Sequence, residues 1–457
     1  MAAPDWLADA VFYQIFPDRF ANADPALNPP DVLPWDAEPM RDGFLGGDLA
    51  GITARLDHVV SVGANALYLT PIFEAHTNHR YDATDYFRVD HRLGDLASFA
   101  HLVEQAHARG VRIVLDAVLN HCGDKHPAFQ DVVANEADSE YVNWFSVEGF
   151  PVTAYPQPNY RTCSGCHYLP KWNVYNPAVR QHHLDVARYW IDQGIDGWRL
   201  DVPYFIHRRF WRDFRDVVKG QGEDLYIVAE EWRAPEEWLR GDTADGTMNY
   251  TLRDLVLGFT ADRTLSADAF ASGMNDLAAR IPEGYHHGML NLLGSHDTER
   301  VLTRHGGDVE RAALAYELLF AAAGAPMIYY GDEVGMTGAN DPGCRAGMVW
   351  DQERWQGGLL NAICRMSARR AAHEPLRRGV QEVAGLDEDT VLVMRTSGSQ
   401  RIATVVHRGS GVMRPVDDIP ALRDGRWRRL DDGAAIDELR IPPRAAVVLV
   451  TTVGESA

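Results

Sequence analysis

The chain has 457 residues, enough for one large α/β barrel with inserted or appended modules and a core that needs no covalent staple. Its 44 Lys and Arg stand against 65 Asp and Glu, and the formal charge of −21 repels phosphate backbones and anionic membranes, so neither nucleic acid nor a membrane is expected as a partner. Five cysteines, an odd number, argue against a disulfide framework; no basic-then-apolar leader stands before Tyr13 and the longest apolar run is broken by Glu317, Gly324 and Pro326, which predicts a cytoplasmic protein.

In chain order, AVFYQIF (10–16) reads as a first strand, NALYLTP (65–71) as a second and RIVLDAV (112–118) as a third. Between them, 49–62 and 95–110 have helical apolar spacing, and such alternation predicts a parallel sheet. The rhythm stops after His121. Residues 122–172 are rich in aromatic, Pro, Asn and Cys residues, and so long an irregular stretch inside a compact domain is usually functional. It contains Cys163-Ser-Gly-Cys166-His167, the c-type haem attachment pattern. Without an export signal the thiols read as free, with a metal clip or a redox pair left open.

Regularity returns with a helix over 179–193. Strands follow at GWRLD (197–201), DLYIVAE (224–230), 248–251, MLNLLG (289–294) and APMIYYGDE (325–333). Eight strands alternating with helices predict a closed (β/α)8 barrel. From about Pro375 short strands (VLVMRT, IATVVH, RWRRL, AAVVLV) with Gly, Asp and Pro turns predict an all-β module. The chain therefore divides into a barrel (1–121 and 173–374), an inserted subdomain (122–172) and a C-terminal β-sandwich (375–457).

Four of these segments end in acids or histidine: DAVLNH (116–121), GWRLD, IVAEEW (227–232) and LLGSHD (292–297). In a parallel barrel the strand tips carry the chemistry. Asp201 follows Arg199 by two, so both project to one side, and a guanidinium beside a carboxylate keeps it ionised, as a nucleophile needs. A structural Arg–Asp pair is the competing reading. One of Glu230 and Glu231 must face inward; Glu230 directly follows apolar YIVA, surroundings that raise a carboxyl's pKa and suit a general acid, and Trp232 on the same side could stack on a sugar ring. His296 and Asp297 could bind a pair of hydroxyls. Asp116 lies inside its strand and reads as structural, while His121 at the tip reads as a substrate contact. Two carboxylates with a third stabilising acid match retaining glycoside hydrolysis.

The four segments in this order resemble the α-amylase family of glycoside hydrolases, and FYQIFPDRF, GGDL, NHRYDATDYF, YYGDE and DPGCRAGMVW extend the resemblance over nearly the whole chain. It implies Asp201 as nucleophile, Glu230 as acid/base and Asp297 as transition-state stabiliser. It places Tyr81, His121, Arg199 and His296 around the sugar that becomes covalently bound, Asp341 and Arg345 on the next sugars, and Trp232 on the leaving-group side. LPKWN (169–173) resembles the MPKLN signature of the neopullulanase and cyclomaltodextrinase branch, which acts on short or cyclic malto-oligosaccharides with α-1,4 and α-1,6 bonds. Two departures stand out: the chain starts directly at the barrel, without the N-terminal β domain usual in that branch, and Val-Pro-Tyr follows Asp201 where the branch often has Val-Ala-Asn-Glu.

The expected activity is therefore a retaining α-glucoside hydrolase of cyclomaltodextrinase, neopullulanase or cyclic maltosyl-maltose hydrolase type. A transglycosylase or isomerase on the same glucans, and a non-catalytic sugar-binding barrel, are the alternatives. The partner is an oligosaccharide substrate, and the assembly a monomer or a homodimer. No cofactor is required for catalysis, because carboxylates carry the reaction. Some relatives bind calcium near the barrel's start. Asn22, Asp24, Asn28 and Asp48 with the Gly46 carbonyl could supply its hard oxygen ligands; an ion-free Pro/Asn/Asp turn is the other reading.

Overall fold

A computed structural model describes residues 3–423 and 425–452. Eight parallel strands close a barrel: β1 Phe12–Ile15, β2 Ala66–Leu69, β3 Arg112–Ala117, β4 Gly197–Leu200, β5 Tyr226–Ala229, β6 Gly246–Asn249, β7 Leu290–Asn291 and β8 Ala325–Tyr329, each paired with the next and β8 with β1. Nearly every strand residue is buried, as it must be when side chains fill the barrel on one face and meet helices on the other.

The ends of elements follow capping chemistry rather than hydrophobicity. The region expected to be strand at 248–251 instead divides: β6 runs Gly246–Asn249, and Asn249 accepts from the Leu252 amide to start helix Tyr250–Thr260. Strand β7 shrinks to two residues where six were expected, because the chain leaves the sheet at Leu292 to form the turn that presents His296 and Asp297. The single helix expected over 49–62 is two, Leu49–Ala54 and Leu56–Ser61, joined at Arg55.

After β3 the chain departs from the barrel. Helix Pro127–Asn135 and a set of isolated bridges (His121 with Lys171, Phe145 with Trp172, Val147 with Tyr160, Thr162 with Pro170) fold this stretch onto the barrel's carboxyl end. An aromatic nucleus holds it: Phe145 stacks on Trp172 at 4.8 Å, and Phe129 meets Phe145 and Tyr160 edge-on at 5.0 and 4.9 Å. At the other end a five-stranded antiparallel sheet runs in the order Val380–Asp387, Thr390–Ser397, Gln400–His407, Ala445–Thr452, Arg428–Arg429, with a second pair of strands, Val412–Pro415 and Glu438–Ile441. Leu392, Met394, Val405, Trp427, Leu439 and Leu449 form its separate core.

Candidate active site

Register brings the first charges together. Asp116 on β3 lies beside Arg199 on β4, and Asp201 and Glu230 are the first residues past β4 and β5. Buried Arg199 divides its guanidinium among three carboxyls: Nη1 donates to Asp116 Oδ1 at 2.9 Å and to Asp201 Oδ1 at 2.7 Å, and Nη2 reaches Glu230 Oε2 at 2.9 Å. Asp116 Oδ2 also accepts from the hydroxyls of Tyr68 (2.7 Å) and Tyr81 (2.9 Å), which completes its structural role. One positive charge cannot neutralise three negative ones. Burial, with Glu230 and Asp116 close by, pushes the Asp201 carboxyl well above its usual range while Arg199 pulls it back. Arg199 favours the ionised form of Asp201 while burial and the neighbouring carboxyls oppose it, and the proton balance belongs to the cluster.

The chain turns sharply after Asp201. Val202 takes φ 34° and ψ 50°, a left-handed conformation that a β-branched residue adopts only under constraint, and its amide donates to Glu230 Oε2 at 2.8 Å. Glu230 Oε1 accepts from Trp232 Nε1 at 3.0 Å. Its surroundings are therefore polar on both oxygens, not apolar as the preceding strand suggested. Glu231 points away: its oxygens take the amides of Arg233 and Ala234 and the indole N–H of Trp238. Trp232 lines the cavity with part of its surface exposed. One face of its ring stacks on Tyr250, centroids 3.6 Å apart at 11°, so that face is closed to a sugar.

The opposite wall comes from the turn after β7. His296 stacks on Tyr81 at 5.6 Å and 9°. The Gln14 amide donates to its Nδ1 at 2.8 Å, which puts the imidazole proton on Nε2, facing the Tyr81 oxygen (2.6 Å) and Asp297 Oδ2 (3.2 Å). Burial holds His296 neutral, and it lowers His121 and His79 to about 3. Arg345 braces the wall: Nε donates to the His296 carbonyl at 2.8 Å, Nη2 to Asp297 Oδ1 at 3.2 Å, and Nη1 lies 3.2 Å from Asp341 Oδ1. Arg345 thus pairs with two carboxylates while it lines the same cavity as Asp341.

Asp201, Glu230, Asp297, Tyr81, His121, Trp232, His296, Asp341 and Arg345 line one open cavity of about 400 Å³, with Arg199 directly beneath. His79, Cys163, Cys166, Tyr168 and Tyr204 line it too, and the sequence reading assigned none of them a contact. His79 stands two residues before Tyr81 in the same motif, a signal the sequence does carry, whereas nothing near Cys163 and Cys166 distinguishes cavity thiols from loop thiols. Two cavities of about 470 Å³ lie around Trp35 and Trp350, with no member of the acid cluster in their walls, so size does not mark the site.

The loop residues near the barrel's start also converge. Gly46, at φ 80°, packs so closely on the Asn22 and Asn28 side chains that any Cβ would meet Asn28 Oδ1 at 2.2 Å. Asn22 Oδ1 is buried without a partner, and Asn28 Oδ1 accepts from Asn22 Nδ2 at 2.9 Å. Asp48 instead binds three amides, those of Ala23, Asp24 and Gly51. Asp24 accepts from the Ala26 amide. Asn22 Oδ1 is thus one unpartnered oxygen, of the hard kind a cation takes, beside a tight glycine, and Asp48 shapes the loop through its amide contacts.

The family description "Alpha amylase, catalytic domain" matches residues 14–389. The chain is 45% identical over 431 residues to a cyclomaltodextrinase of Geobacillus thermopakistaniensis (strain MAS1), covering 93% of this chain and 73% of that one. It is 42% identical over 429 residues to neopullulanase 2 of Thermoactinomyces vulgaris, with the same coverage. Among solved structures, the cyclic α-maltosyl-(1→6)-maltose hydrolase of Arthrobacter globiformis, in complex with cyclic α-maltosyl-(1→6)-maltose, superposes with a TM-score of 0.95 at 65% identity, over 99% of this chain and all of that one.

Proposed function

The chain belongs to the α-amylase family of glycoside hydrolases, and from that premise we propose that it opens short or cyclic α-1,4/α-1,6-linked malto-oligosaccharides by double displacement, with Asp201, Glu230 and Asp297 as its working acids. One observation carries the mechanism: Asp201 and Glu230 sit on the two arms of one guanidinium, Arg199. A single fork holds carboxyls close, as in retaining glycosidases, whose pair stands about 5–5.5 Å apart; inverting enzymes need about 6.5–9.5 Å to admit a water.

Asp201 attacks the anomeric carbon. Glu230 gives the leaving oxygen a proton, then takes one from the water that releases the sugar from Asp201. Trp232 Nε1 and the Val202 amide hold Glu230 in place through both steps. Asp297, fixed by Arg345 and His296, accepts hydrogen bonds from ring hydroxyls that tighten as the sugar flattens toward an oxocarbenium ion. Tyr81 and His121 wall the covalently held sugar. His121 Nε2 is buried without a protein partner and can meet a hydroxyl. Enzymes of this family need no catalytic cofactor.

The substrate reading follows the 65% identity to the maltosyl-maltose hydrolase, whose ring is the first candidate. A panel of cyclodextrins, pullulan, panose, starch and the cyclic branched tetrasaccharide, with products resolved by chain length, tests it. The ring and short oligomers should be cleaved fastest; a marked preference for starch would contradict the reading. Calcium, held by Asn22, Asp24, Asn28 and the Gly46 carbonyl with Asp48 behind them, is proposed as a structural ion. A melting temperature unmoved by chelator and by added calcium would dismiss it. We also place the enzyme in the cytoplasm as a monomer or homodimer, to be checked by fractionation and light scattering. Among the described residues no helix is long and apolar enough to cross a membrane.

A further inference from the structure

The inserted segment carries a feature that the hydrolytic reading does not use. Cys163-Ser164-Gly165-Cys166 forms a tight turn: Ser164 and Gly165 have φ of 51° and 81°, and the Cys166 amide donates to the Cys163 carbonyl at 2.9 Å. Two consecutive left-handed residues mark a type I′ turn, whose first and last Cα atoms lie within about 7 Å. Disulfide-bonded cysteines have Cα atoms about 4.4–6.8 Å apart, so the turn brings the two Cα atoms near the separation a bridge needs, and the side chains and loop must still close the rest. Both cysteines are free, and both line the catalytic cavity. Cys163 is buried and Cys166 half-buried.

The turn is anchored at its base and placed where movement matters. The Cys163 amide donates to the Leu169 carbonyl at 2.9 Å and the Leu169 amide to the Cys166 carbonyl at 3.0 Å. Tyr168 and Leu169, carried by this loop, line the same cavity. Ser164 at its tip also lines a neighbouring cavity of about 640 Å³ that contains Arg161, Lys171 and Phe205, so the turn is the partition between two spaces.

We propose that Cys163 and Cys166 are a reversible dithiol–disulfide pair whose closure reshapes the wall of the catalytic cavity. The consequence for activity rests on the reading of that cavity as the glycosidase site; the thiol chemistry does not. A low-molecular-weight disulfide is the oxidant. The half-exposed Cys166 thiolate attacks one of its sulfurs, forming a mixed disulfide and releasing one small thiolate. Cys163, deprotonated, then attacks the Cys166 sulfur and releases the second. The protein loses two hydrogens and two electrons, and the small disulfide leaves as two thiols. Burial pushes the Cys163 thiol up to about 11, so the first attack falls to the more exposed Cys166 and the intramolecular closing step is the slower one at neutral pH. Closure pulls the Cys166–Leu169 loop toward Cys163 and moves Tyr168 and Leu169 relative to the acids.

The test equilibrates the full-length enzyme with glutathione at graded ratios of disulfide to thiol. It reads intact mass, the linked peptide and steady-state kinetics on a malto-oligosaccharide. The expected result is a species lighter by two hydrogens and linked Cys163 to Cys166. Its KM rises several-fold with kcat less affected, and dithiothreitol reverses both changes. Cys163→Ser and Cys166→Ser should each form no internal link and lose the reversible KM response. Absence of a 163–166 link at every ratio would overturn the pair, and a link with unchanged KM would overturn its effect on the cavity. Absence of hydrolysis in both redox states would instead overturn the functional reading, since the link is scored by mass.

Discussion

Both ends of the barrel bury arginine, and they treat it in opposite ways. At the carboxyl ends of the strands Arg199 faces three carboxyls, and the negative charges raise its pKa well above the ordinary value. At the far end Arg370 and Arg395 join the barrel to the C-terminal sheet through carbonyls alone: Arg370 donates to those of Ala8, Gly324 and Leu376, and Arg395 to those of Ala321 and Gly379. Burial lowers Arg370 to about 10 and Arg395, with Arg370 nearby, to about 9, so both stay charged at neutral pH. One end accumulates negative charge that chemistry can use. The other accepts an uncompensated positive charge for the sake of five carbonyl contacts. A buried ion is thus evidence of function only when its partners can titrate.

The largest test of that contrast removes the nucleophile. Asp201→Asn should lower kcat on the order of 10⁴-fold, with the circular dichroism spectrum unchanged. Equal activity in a folded variant would break the assignment.

Acid is the second test, read by urea unfolding from pH 7 to 5. His79, His121, His126, His182, His183 and His296 all sit near the catalytic end or under the inserted segment, and burial depresses each. Their neutral folded forms contribute stability that is complete above an unfolded pKa of about 6.5 and is lost as pH falls below it. Asp116, Asp201 and Asp332 act the other way: burial raises their folded values, Asp332 to about 6, and they lose stability as pH rises from about 4. Six histidines outweigh three carboxyls, so stability should fall on the order of 1–3 kcal/mol per pH unit below 6.5. A flat or rising profile would contradict the balance. At the lower end the buried arginines do not titrate in this range, and His373 and His407, depressed by burial, add to the same slope.

At that lower end Arg395→Met should cost about 1–3 kcal/mol by leaving the Gly379 and Ala321 carbonyls without donors, with kcat on small glucans unchanged. A loss of activity in the folded variant would show that the two ends are coupled. The smallest effect is expected from Trp232→Phe, which keeps the stack on Tyr250 and removes only the indole N–H from Glu230. It should lower kcat by roughly two- to tenfold and shift one limb of the pH–rate profile.

The same contrast explains what could be read before the fold was known. Acids at strand tips are visible because an apolar run that ends in a carboxylate has one geometry in a parallel barrel, and Asp201, Glu230 and Asp297 do meet around one cavity. The closed barrel and the C-terminal strands were legible for a related reason: period and length encode them. What stayed hidden depends on third partners. Nothing local says that Asn249 leaves its strand to cap a helix, that Tyr250 covers a face of Trp232, or that Arg345 pairs with Asp297 and Asp341. The cysteine motif was visible as a pattern, but its place in the cavity wall depends on a turn whose two left-handed residues show only in the backbone.

Double displacement requires Asp201 and Glu230 to act as a close pair. The most direct measurement follows the anomeric configuration of the first product by proton NMR, before mutarotation, during hydrolysis of a short α-glucan. Double displacement predicts an α-configured reducing end at the earliest time point. A β-configured first product would mean that water attacks directly, and would contradict the assignment of Asp201 as the covalent nucleophile.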